Sequence, residues 1–542
     1  MKIKYIIALL LLLMFVLGFA SALFKSRTSD EVTYHLNGGY HFLKTGEWIA
    51  PIDNPPLSGI LVSIPLLFVD KGRFRNFERL SIEDYVYERK ETFPRNILLT
   101  SRIVPLMFMV ALGYFVFLWA RDLYGTKAGL FALLLYVFSS NMLAYGRFVT
   151  TDIGSVLFMF LSLYTFWKYA KEPNKKNLAV ASIVFGLAQI SKMFALFLVP
   201  TFIIYAVIVY FFKDFGPNFF MNFNNKKAKK AFDLGFSLLV IFIVGLFMIN
   251  MAYLFDGSLR PLIKYDKEEF KSATFKSLHE NRLVNWIPLP FPKPYVIAHD
   301  YGQWLAKEED RAYFYWGKVG RGFDFKSYYL GYILIKTPIG LFIILLLSLL
   351  CARKINYSEA YMLIFIAILL LALTFLSQVR LGYRHVLVIY PLLYVFSGRI
   401  FKEGIPKNKL VFGIIIISAL WYVISTLYIF PHYLAYFNEL IGGPKNGYKY
   451  AIDSNLDWEQ DLDLVKKYIR KSEVPVLIDP GCKPFTGRAA IPTNSLQFQK
   501  GVCYQWLKQN FEPIDYIGYS WLVYDVKGTW KESNGQYFFT KW

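Results

Sequence analysis

The sequence predicts a polytopic α-helical membrane protein that carries a small soluble domain outside the bilayer. Of its 542 residues, 55% are hydrophobic and 19% are aromatic, and the mean hydropathy is +0.36. A soluble domain could not hide so much apolar surface in one core. Several apolar runs also approach the roughly 20 residues that cross a bilayer. These runs are therefore expected to be transmembrane helices.

The first apolar run, Tyr5–Phe24, carries no charge and follows the residues Met-Lys-Ile-Lys. It is too long for the apolar core of a typical signal peptide, and no clear cleavage site follows it. We therefore expect it to be retained as the first transmembrane helix.

The net charge of +21 lies mainly in short connectors between the apolar runs. An excess of Lys and Arg in short loops is typical of the cytoplasmic side of a membrane protein. Most of the positive charge therefore needs no polyanionic partner, and binding to nucleic acid is disfavoured. If all these connectors lie inside, the chain crosses about eleven times, from a cytoplasmic N-terminus to an extracytoplasmic C-terminus.

The same parity argument locates breaks within long apolar stretches. Residues 178–212 lie between two basic loops, so they must cross an even number of times, as two short spans that place Lys192 at the outer boundary. Residues 358–398 also lie between basic connectors, which places Arg384 and His385 at an outer turn.

The span at 128–145 is expected to deliver Asp152, in the stretch GRFVTTDIG, to the same outer face. Its neighbours on that face are the ends of the other spans. The outer boundary is therefore expected to collect several polar residues that are far apart in sequence.

The predicted domains are a transmembrane region, 1–430, with external loops at 25–95 and 256–327, and an extracytoplasmic domain, 431–542. Leu57–Val69, in the first loop, is short enough to be an interfacial or re-entrant helix. Apolar runs in the last domain are short and bounded by Pro and Gly, which is typical of an α/β or β-rich fold.

Cysteine and motif patterns give few further constraints. Cys482 and Cys503 lie in the predicted external domain. The sequence allows either a disulfide between them or two unpaired thiols. No spacing resembles a zinc site, a Walker loop or a dinucleotide fingerprint. The sequence therefore requires no cofactor and leaves a divalent metal open.

Ionisable side chains gather at one depth, near the predicted outer ends of the spans. Each alone has a structural interpretation, because Lys and Arg can snorkel and Asp can cap a helix. Together they describe a pocket for a charged amphiphile that approaches from the outer leaflet. These residues are Asp30, Glu31, Arg95, Arg102, Asp152, Lys192, Lys336, Arg384 and His385.

Several motifs occur along the chain in the order SDE, TTDIG, SKMFALFLVP, YYLGYILIKTP, GYRHVLVIYP and DSNLDWEQDLD. In these motifs the chain resembles the protein O-mannosyltransferase-related glycosyltransferases, whose relatives include the lipid A aminoarabinose transferase. The resemblance covers about residues 30–465 and implies a type C glycosyltransferase fold that uses sugars linked to polyprenyl phosphate. In the last motif, Glu459 stands where a small residue, often Gly, is expected.

The resemblance implies a role for several of the clustered residues. Asp30 matches the proposed catalytic base, and Asp152 matches an aspartate that helps to position the base or the acceptor. An inverting transfer needs such a base, and Glu31 could share or tune its proton. The residues that match ligands of the lipid phosphate are Lys192, Arg102, Lys336 and Arg384, and the further candidates for the site are His385 and Asp457.

The resemblance implies transfer of the sugar, with inversion of its anomeric configuration, to a hydroxyl or phosphate of a protein, lipid or glycan.

 The lipid bilayer and the polyprenyl-phosphate-linked sugar are thus the expected partners, and a prokaryotic plasma membrane is the expected location. The sequence does not identify the sugar or the polyprenol.

Two other functional classes are open on sequence alone. A transporter or lipid flippase could line its path with charged residues, but such folds often show paired Gly/Pro-broken segments in corresponding halves, which this chain lacks. Its charges also cluster at one face instead of the midplane. A non-catalytic scaffold would leave Asp30 and Asp152 unexplained.

Overall fold

The computed structural model describes residues 2–47, 54–69, 93–212, 225–350, 354–481, 485–499, 503–533 and 536–541. Over these residues the protein is mostly helical, and apolar side chains from its long helices form the largest core cluster. The predicted polytopic helical architecture is therefore confirmed.

Helices occupy each apolar run that the sequence predicts to cross the membrane. In the N-terminal half they are α1 (Lys2–Leu23), α2 (Asn37–Thr45), α3 (Leu57–Ser63), α4 (Leu66–Val69), α5 (Arg95–Tyr124), α6 (Thr126–Val137), α7 (Ser140–Tyr145), α8 (Asp152–Lys171), α9 (Lys175–Gln189), α10 (Leu198–Phe212) and α11 (Lys226–Ala252). In the C-terminal half they are α12 (Ala273–Glu280), α13 (Lys293–Lys307), α14 (Tyr328–Lys336), α15 (Ile339–Leu350), α16 (Tyr357–Phe375), α17 (Ile389–Ser397), α18 (Lys409–Tyr428), α19 (Leu462–Lys471) and α20 (Gln505–Asn510).

Within the described residues, seven helices are long and apolar enough to cross a membrane, or eight if α14 and α15 form one bent span. The sequence predicts about eleven crossings. The difference arises at α6, α9 and α17, which have 12, 15 and 9 residues. The parity argument counts how often the chain changes sides of the membrane and does not depend on helix length. These three helices are short because their apolar runs are interrupted early.

Two interruptions have clear local causes. Helix α9 ends at Gln189 and a 3-10 turn, Met193–Phe197, leads into α10, so the predicted break within 178–212 is confirmed. Helices α14 and α15 meet at an angle of 104°. Pro338 lies at this corner, and a proline disfavours helical conformation in the residue before it.

Asparagine side chains cap several helices at their N-termini, on the connectors that the sequence predicts to be cytoplasmic. Asn174, Asn225 and Asn408 each accept a hydrogen bond from a backbone N–H of the first turn. Asn356 forms a reciprocal capping box with Glu359. Such caps satisfy amides that have no partner within the helix, which fixes where the span begins.

The described strands are β1 (Ala312–Tyr315), β2 (Lys318–Arg321), β3 (Val476–Ile478), β4 (Gly487–Pro492), β5 (Asp515–Ile517), β6 (Trp521–Val526), β7 (Gly528–Ser533) and β8 (Gln536–Lys541). Four of them form a sheet in the C-terminal part with the order β3-β4-β6-β5, in which β3 and β4 are parallel and the other pairs antiparallel. This agrees with the predicted small α/β or β-rich region. The other strands form two hairpins, β1–β2 and β7–β8.

The four-stranded sheet buries both of its faces. In β6, Trp521 and Val523 belong to a small cluster with helix α19, whereas Leu522 and Tyr524 belong to the main core shared with the transmembrane helices. Alternate residues of a strand point to opposite faces. The sheet is therefore packed between α19 and the long apolar helices, which brings the segment before α19 close to the span ends that the sequence predicts to be outer.

Candidate active site

Asp30 lies at the end of the loop that follows α1, and its carboxylate faces Arg384. Arg384 Nη1 is 3.2 Å from Asp30 Oδ2, and the two side chains are 16% and 22% exposed. Arg384 belongs to the 3-10 turn Tyr383–Val386, which precedes α17. The pair therefore joins two turns that are more than 350 residues apart in sequence, and it stays accessible to a substrate.

Asp152 and Lys192 form a second, more buried pair. Asp152 is the first residue of α8, and Lys192 lies in the break between α9 and α10. Lys192 Nζ donates to Asp152 Oδ1 at 2.5 Å, and Thr150 Oγ1 donates to Asp152 Oδ2 at 3.1 Å. Two donors thus hold this carboxylate in a fixed orientation.

One narrow cleft is lined by the cation of each pair, Lys192 and Arg384. His385 lies beside them; its Nδ1 is 3.1 Å from Tyr329 Oη, and its ring meets the Phe194 ring edge-on at 4.7 Å between centroids. The remaining lining residues are Ser155, Val156, Met159, Phe194, Leu369 and Val388. The structure therefore brings four of the predicted site residues, Asp30, Asp152, Lys192 and Arg384, into one neighbourhood, with His385 in its wall.

Asp453 and Trp458 are site residues that the sequence interpretation missed. The Trp458 ring lies 4.9 Å from the Arg384 guanidinium, a distance suited to a cation–π contact. Burial raises the pKa of Asp453; Arg384 opposes this rise, and Asp30 adds to it. Asp453 thus shares the electrostatic environment of the Asp30–Arg384 pair. Both residues belong to the DSNLDWEQDLD motif, which is the sequence feature that could have identified them as site residues.

Glu31 points away from Asp30 into the core, where it binds Arg102. Arg102 donates to both carboxylate oxygens of Glu31, at 2.8 and 2.7 Å, and both side chains are fully buried. Backbone amides of Thr28 and Val149 donate to the same carboxylate. Glu31 is thus a structural anchor for the loop of Asp30, in contrast to its predicted role as a partner in proton transfer.

Arg102 likewise has no guanidinium nitrogen available to bind a phosphate. Besides Glu31, its guanidinium donates to the backbone carbonyls of Ala22, Lys25 and Ser26. These bonds tie α5 to the end of α1. The structure therefore separates Arg102 from the cleft that holds Lys192.

Lys336 and Asp457 also lie outside the cleft. Lys336 is 1% exposed and donates to the Leu434 carbonyl at 2.7 Å, with the Phe437 ring 4.4 Å away. Asp457 is buried, and burial raises its pKa to about 7. Its Oδ2 accepts long hydrogen bonds from Thr493 and Asn494. Each residue is thus bonded to a neighbouring segment, and neither lines the cleft.

Glu459 occupies a backbone position that favours glycine, because its φ is +68°. This explains why a small residue is expected there. We predict that Glu459→Gly raises the free energy of unfolding by about 0.5–1 kcal/mol. The left-handed region costs a side chain about 1–2 kcal/mol, and the greater freedom of glycine in the unfolded chain offsets about 0.5–1 kcal/mol of that gain. Thermal denaturation of the purified protein measures the change. A lower unfolding temperature would show that contacts of the Glu459 side chain outweigh the backbone cost.

Among the described residues, no group of three or more His, Cys, Asp and Glu is arranged to hold a metal ion. Cys503 is disulfide-bonded, and Cys482 lies outside the described residues.

The chain is similar to known proteins in sequence and in structure. Residues 97–217 match the family model described as dolichyl-phosphate-mannose-protein mannosyltransferase. No curated protein matches the chain. Among solved structures, the S. cerevisiae protein O-mannosyltransferase Pmt1-Pmt2 complex bound to the sugar donor is 21% identical, over 52% of this chain and 37% of that chain, with a TM-score of 0.38. The chain therefore spans well under half the length of that yeast protein.

Two further structures show similarity at low identity. ArnT from Cupriavidus metallidurans bound to undecaprenyl phosphate is 10% identical, over 95% of this chain and 97% of that chain, with a TM-score of 0.45. The oligosaccharyltransferase of Archaeoglobus fulgidus is 14% identical, over 79% of this chain and 55% of that chain, with a TM-score of 0.42. The family match over residues 97–217 confirms the resemblance predicted from the sequence, to the membrane glycosyltransferases related to the protein O-mannosyltransferases.

Proposed function

We propose that the protein transfers a sugar from a polyprenyl-phosphate donor to a hydroxyl or phosphate acceptor at the outer face of the membrane. The observation that carries this proposal is the grouping of two carboxylates, Asp30 and Asp152, with two cations, Lys192 and Arg384, at the ends of transmembrane helices. Sugar transfer of this kind needs a base for the acceptor and positive charge for the departing phosphate.

Asp30 is the better placed of the two carboxylates to act as the base. It is partly exposed, whereas Asp152 is 1% exposed and bound to Lys192. Asp30 would take the proton of the acceptor O–H as the acceptor oxygen bonds to the anomeric carbon. The bond between that carbon and the phosphate oxygen breaks, and its electron pair stays on the phosphate. Because the acceptor oxygen attacks from the side opposite to the leaving phosphate, the anomeric configuration is inverted.

Lys192 and Arg384 are suited to bind the phosphate before and after the bond breaks. The Lys192 ammonium has three N–H donors and uses one for Asp152 in the structure. Arg384 donates to Asp30 through one nitrogen, Nη1. Charge-assisted hydrogen bonds from such groups stabilise a phosphate without a metal ion.

An apolar cavity of about 520 Å³ adjoins the same stretch of chain and suits a polyprenyl tail. Gln189 and Leu196, at the two ends of the break between α9 and α10, line this cavity, whereas Lys192 and Phe194 line the charged cleft. One segment thus forms a wall of both spaces. The other lining residues, mostly apolar, include Phe185, Phe242, Ile249, Leu262, Phe291 and Tyr295.

The direct test uses the purified protein in nanodiscs with radiolabelled polyprenyl-phosphate hexoses and pentoses, and native membrane extract as the source of acceptor. We expect radioactivity to pass from the donor to an acceptor fraction. Lipid that copurifies should contain a polyprenyl phosphate by mass spectrometry. Transport of the intact donor across sealed vesicles with no transfer would instead support the flippase alternative.

Lys192→Ala is expected to raise the Kd for the donor about 10- to 100-fold, because it removes a charge-assisted hydrogen bond to the phosphate. Equilibrium binding of a fluorescent polyprenyl phosphate in nanodiscs measures the change. Lys171→Ala, which removes an exposed lysine at the other end of α8, is the matched control and should bind like the wild type. Unchanged binding by Lys192→Ala would show that this lysine serves Asp152 alone.

We also propose that the N-terminus is cytoplasmic and the C-terminus extracytoplasmic, in the plasma membrane of a prokaryote. The support is the distribution of basic connectors along the sequence. Reporter fusions after Lys229 and at the C-terminus are expected to report opposite sides. The same side for both would contradict this topology.

A further inference from the structure

The segment 453–462 contacts both turns that supply the Asp30–Arg384 pair. Its first part is bonded to the turn of Arg384: the Tyr383 amide donates to Asn455 Oδ1 at 2.7 Å, and Ser454 Oγ donates to the Leu381 carbonyl at 2.7 Å. Gly382 lies between these bonds, and a Cβ atom there would be 2.7 Å from Ser454 Oγ. This close approach fixes the turn against the segment.

The second part of the segment is bonded to the loop that ends in Asp30. The Ser26 amide donates to the Gln460 carbonyl at 3.0 Å, and the Ser29 amide donates to the Trp458 carbonyl at 3.3 Å. The Ser26 hydroxyl donates to the Glu459 carbonyl and accepts from the Leu462 amide, both at 3.0 Å. The loop is thus held by main-chain bonds just before the carboxylate.

A buried ion pair closes this contact. Lys25 Nζ is 2.5 Å from Asp461 Oδ1, and the side chains are 1% and 0% exposed. Lys25 also contacts His432 Nδ1 at 2.7 Å, and Asp461 Oδ2 accepts from Ser520 Oγ at 2.7 Å. Burial lowers the pKa of Lys25 to about 8, against the opposing effect of Asp461. A buried ion pair adds little net stability, but separating its partners leaves an unpaired charge in the core. The pair therefore resists movement of the two segments that it joins.

The C-terminal sheet holds the segment from the other side. Asn494, two residues after β4, accepts from the Asp453 amide at 2.7 Å and donates to the Asp457 carbonyl at 3.0 Å. Ser520, just before β6, binds Asp461. The sheet therefore reaches the active-site turns through a segment that it holds at both ends.

We propose that residues 453–462 set the position of Asp30 relative to Arg384, and that Lys25 and Asp461 are positioning residues for the catalytic base. This inference rests on the proposed function. It gives the external C-terminal sheet a role in transfer, because the sheet would hold the base at a fixed position relative to the cleft.

The test measures donor binding and turnover for Asp461→Asn and Lys25→Met in nanodiscs. Because a small displacement of a catalytic group can cost up to about 100-fold in rate, we expect kcat to fall about 10- to 100-fold. The donor Kd should stay at the wild-type value, since Lys192 is untouched. Lys25→Arg keeps the charge and should recover part of the rate.

A double variant separates positioning from general damage. If Asp461 acts through Asp30, Asp461→Asn should cost little further rate when Asp30→Asn is already present. Glu359→Gln is the matched control, because it neutralises one partner of another buried ion pair, with Arg399 at 3.0 Å. Glu359 lies in the first turn of α16, ten residues before Leu369, the residue of that helix that lines the cleft. It should lower the unfolding temperature while kcat stays unchanged.

Amide hydrogen exchange of residues 26–31 gives a readout that does not depend on transfer. We expect faster exchange there in Asp461→Asn and no change in Glu359→Gln. Wild-type kcat in Asp461→Asn, rate losses that multiply with Asp30→Asn, or unchanged exchange in residues 26–31 would each overturn the inference. Absence of transfer by the wild-type protein would instead overturn the proposed function, and the exchange data would still decide whether the segment holds the loop.

Discussion

Asp30→Asn is expected to reduce sugar transfer by about 10²–10⁴-fold, the usual loss when a general base is removed. Asparagine keeps the size of the side chain and still accepts a hydrogen bond, but it cannot take a proton at neutral pH. Single-turnover assays with labelled donor measure the bond-breaking step directly. Donor binding should persist or tighten, because the substitution removes the carboxylate that faces Arg384 at 3.2 Å.

Asp463→Asn is the matched control for this prediction. Asp463 lies in the first turn of α19, is 32% exposed and is 3.9 Å from Arg95, so it is also a partly exposed carboxylate near a basic residue. Its removal should change the rate less than about threefold, as expected of a surface ion pair that contributes little. Wild-type turnover by Asp30→Asn would exclude Asp30 as the base and make Asp152 or Asp453 the next candidate.

Arg102→Met is expected to lower the free energy of unfolding by about 3–5 kcal/mol, because it leaves the buried Glu31 carboxylate without its cation. Thermal denaturation and the yield of folded protein measure this loss. The folded fraction should bind donor with wild-type affinity, since Arg102 is directed into the core.

The double variant Arg102→Met/Glu31→Gln tests the same explanation. It removes both charges, while the single glutamine oxygen can still accept from one of the two backbone amides, Thr28 or Val149, that donate to different oxygens of Glu31. We expect it to recover part of the lost stability. An Arg102→Met protein that is stable but binds donor weakly would restore the phosphate-binding role implied by the family resemblance.

The sequence located the break that carries Lys192 because charge and parity are visible without tertiary contacts. The basic loops on both sides of 178–212 required an even number of crossings, and the structure interrupts the helix at 190–192. The positions of Asp30 and Asp152 at the ends of apolar runs were visible for the same reason. Apolar length and charge thus predicted the neighbourhood of the site.

Side-chain direction was not available from the sequence. Asp30 and Glu31 are adjacent, so a shared proton was a reasonable expectation, but the helical turn that begins at Glu31 sends the two carboxylates to different surroundings. Arg102 could not be distinguished from Lys192, because its partner Glu31 is 71 residues away. Burial of one cation and exposure of another follow from packing, which periodicity does not show.

The segment between α9 and α10 forms a wall of both the charged cleft and the apolar cavity. Under the proposed function, tail preference and turnover are therefore coupled: a substitution at Gln189 or Leu196 that reshapes the cavity for a longer or shorter prenyl chain also moves the backbone that carries Lys192. Variants selected for a new lipid carrier should therefore require a second, compensating change on the opposite side of the cleft before they regain speed.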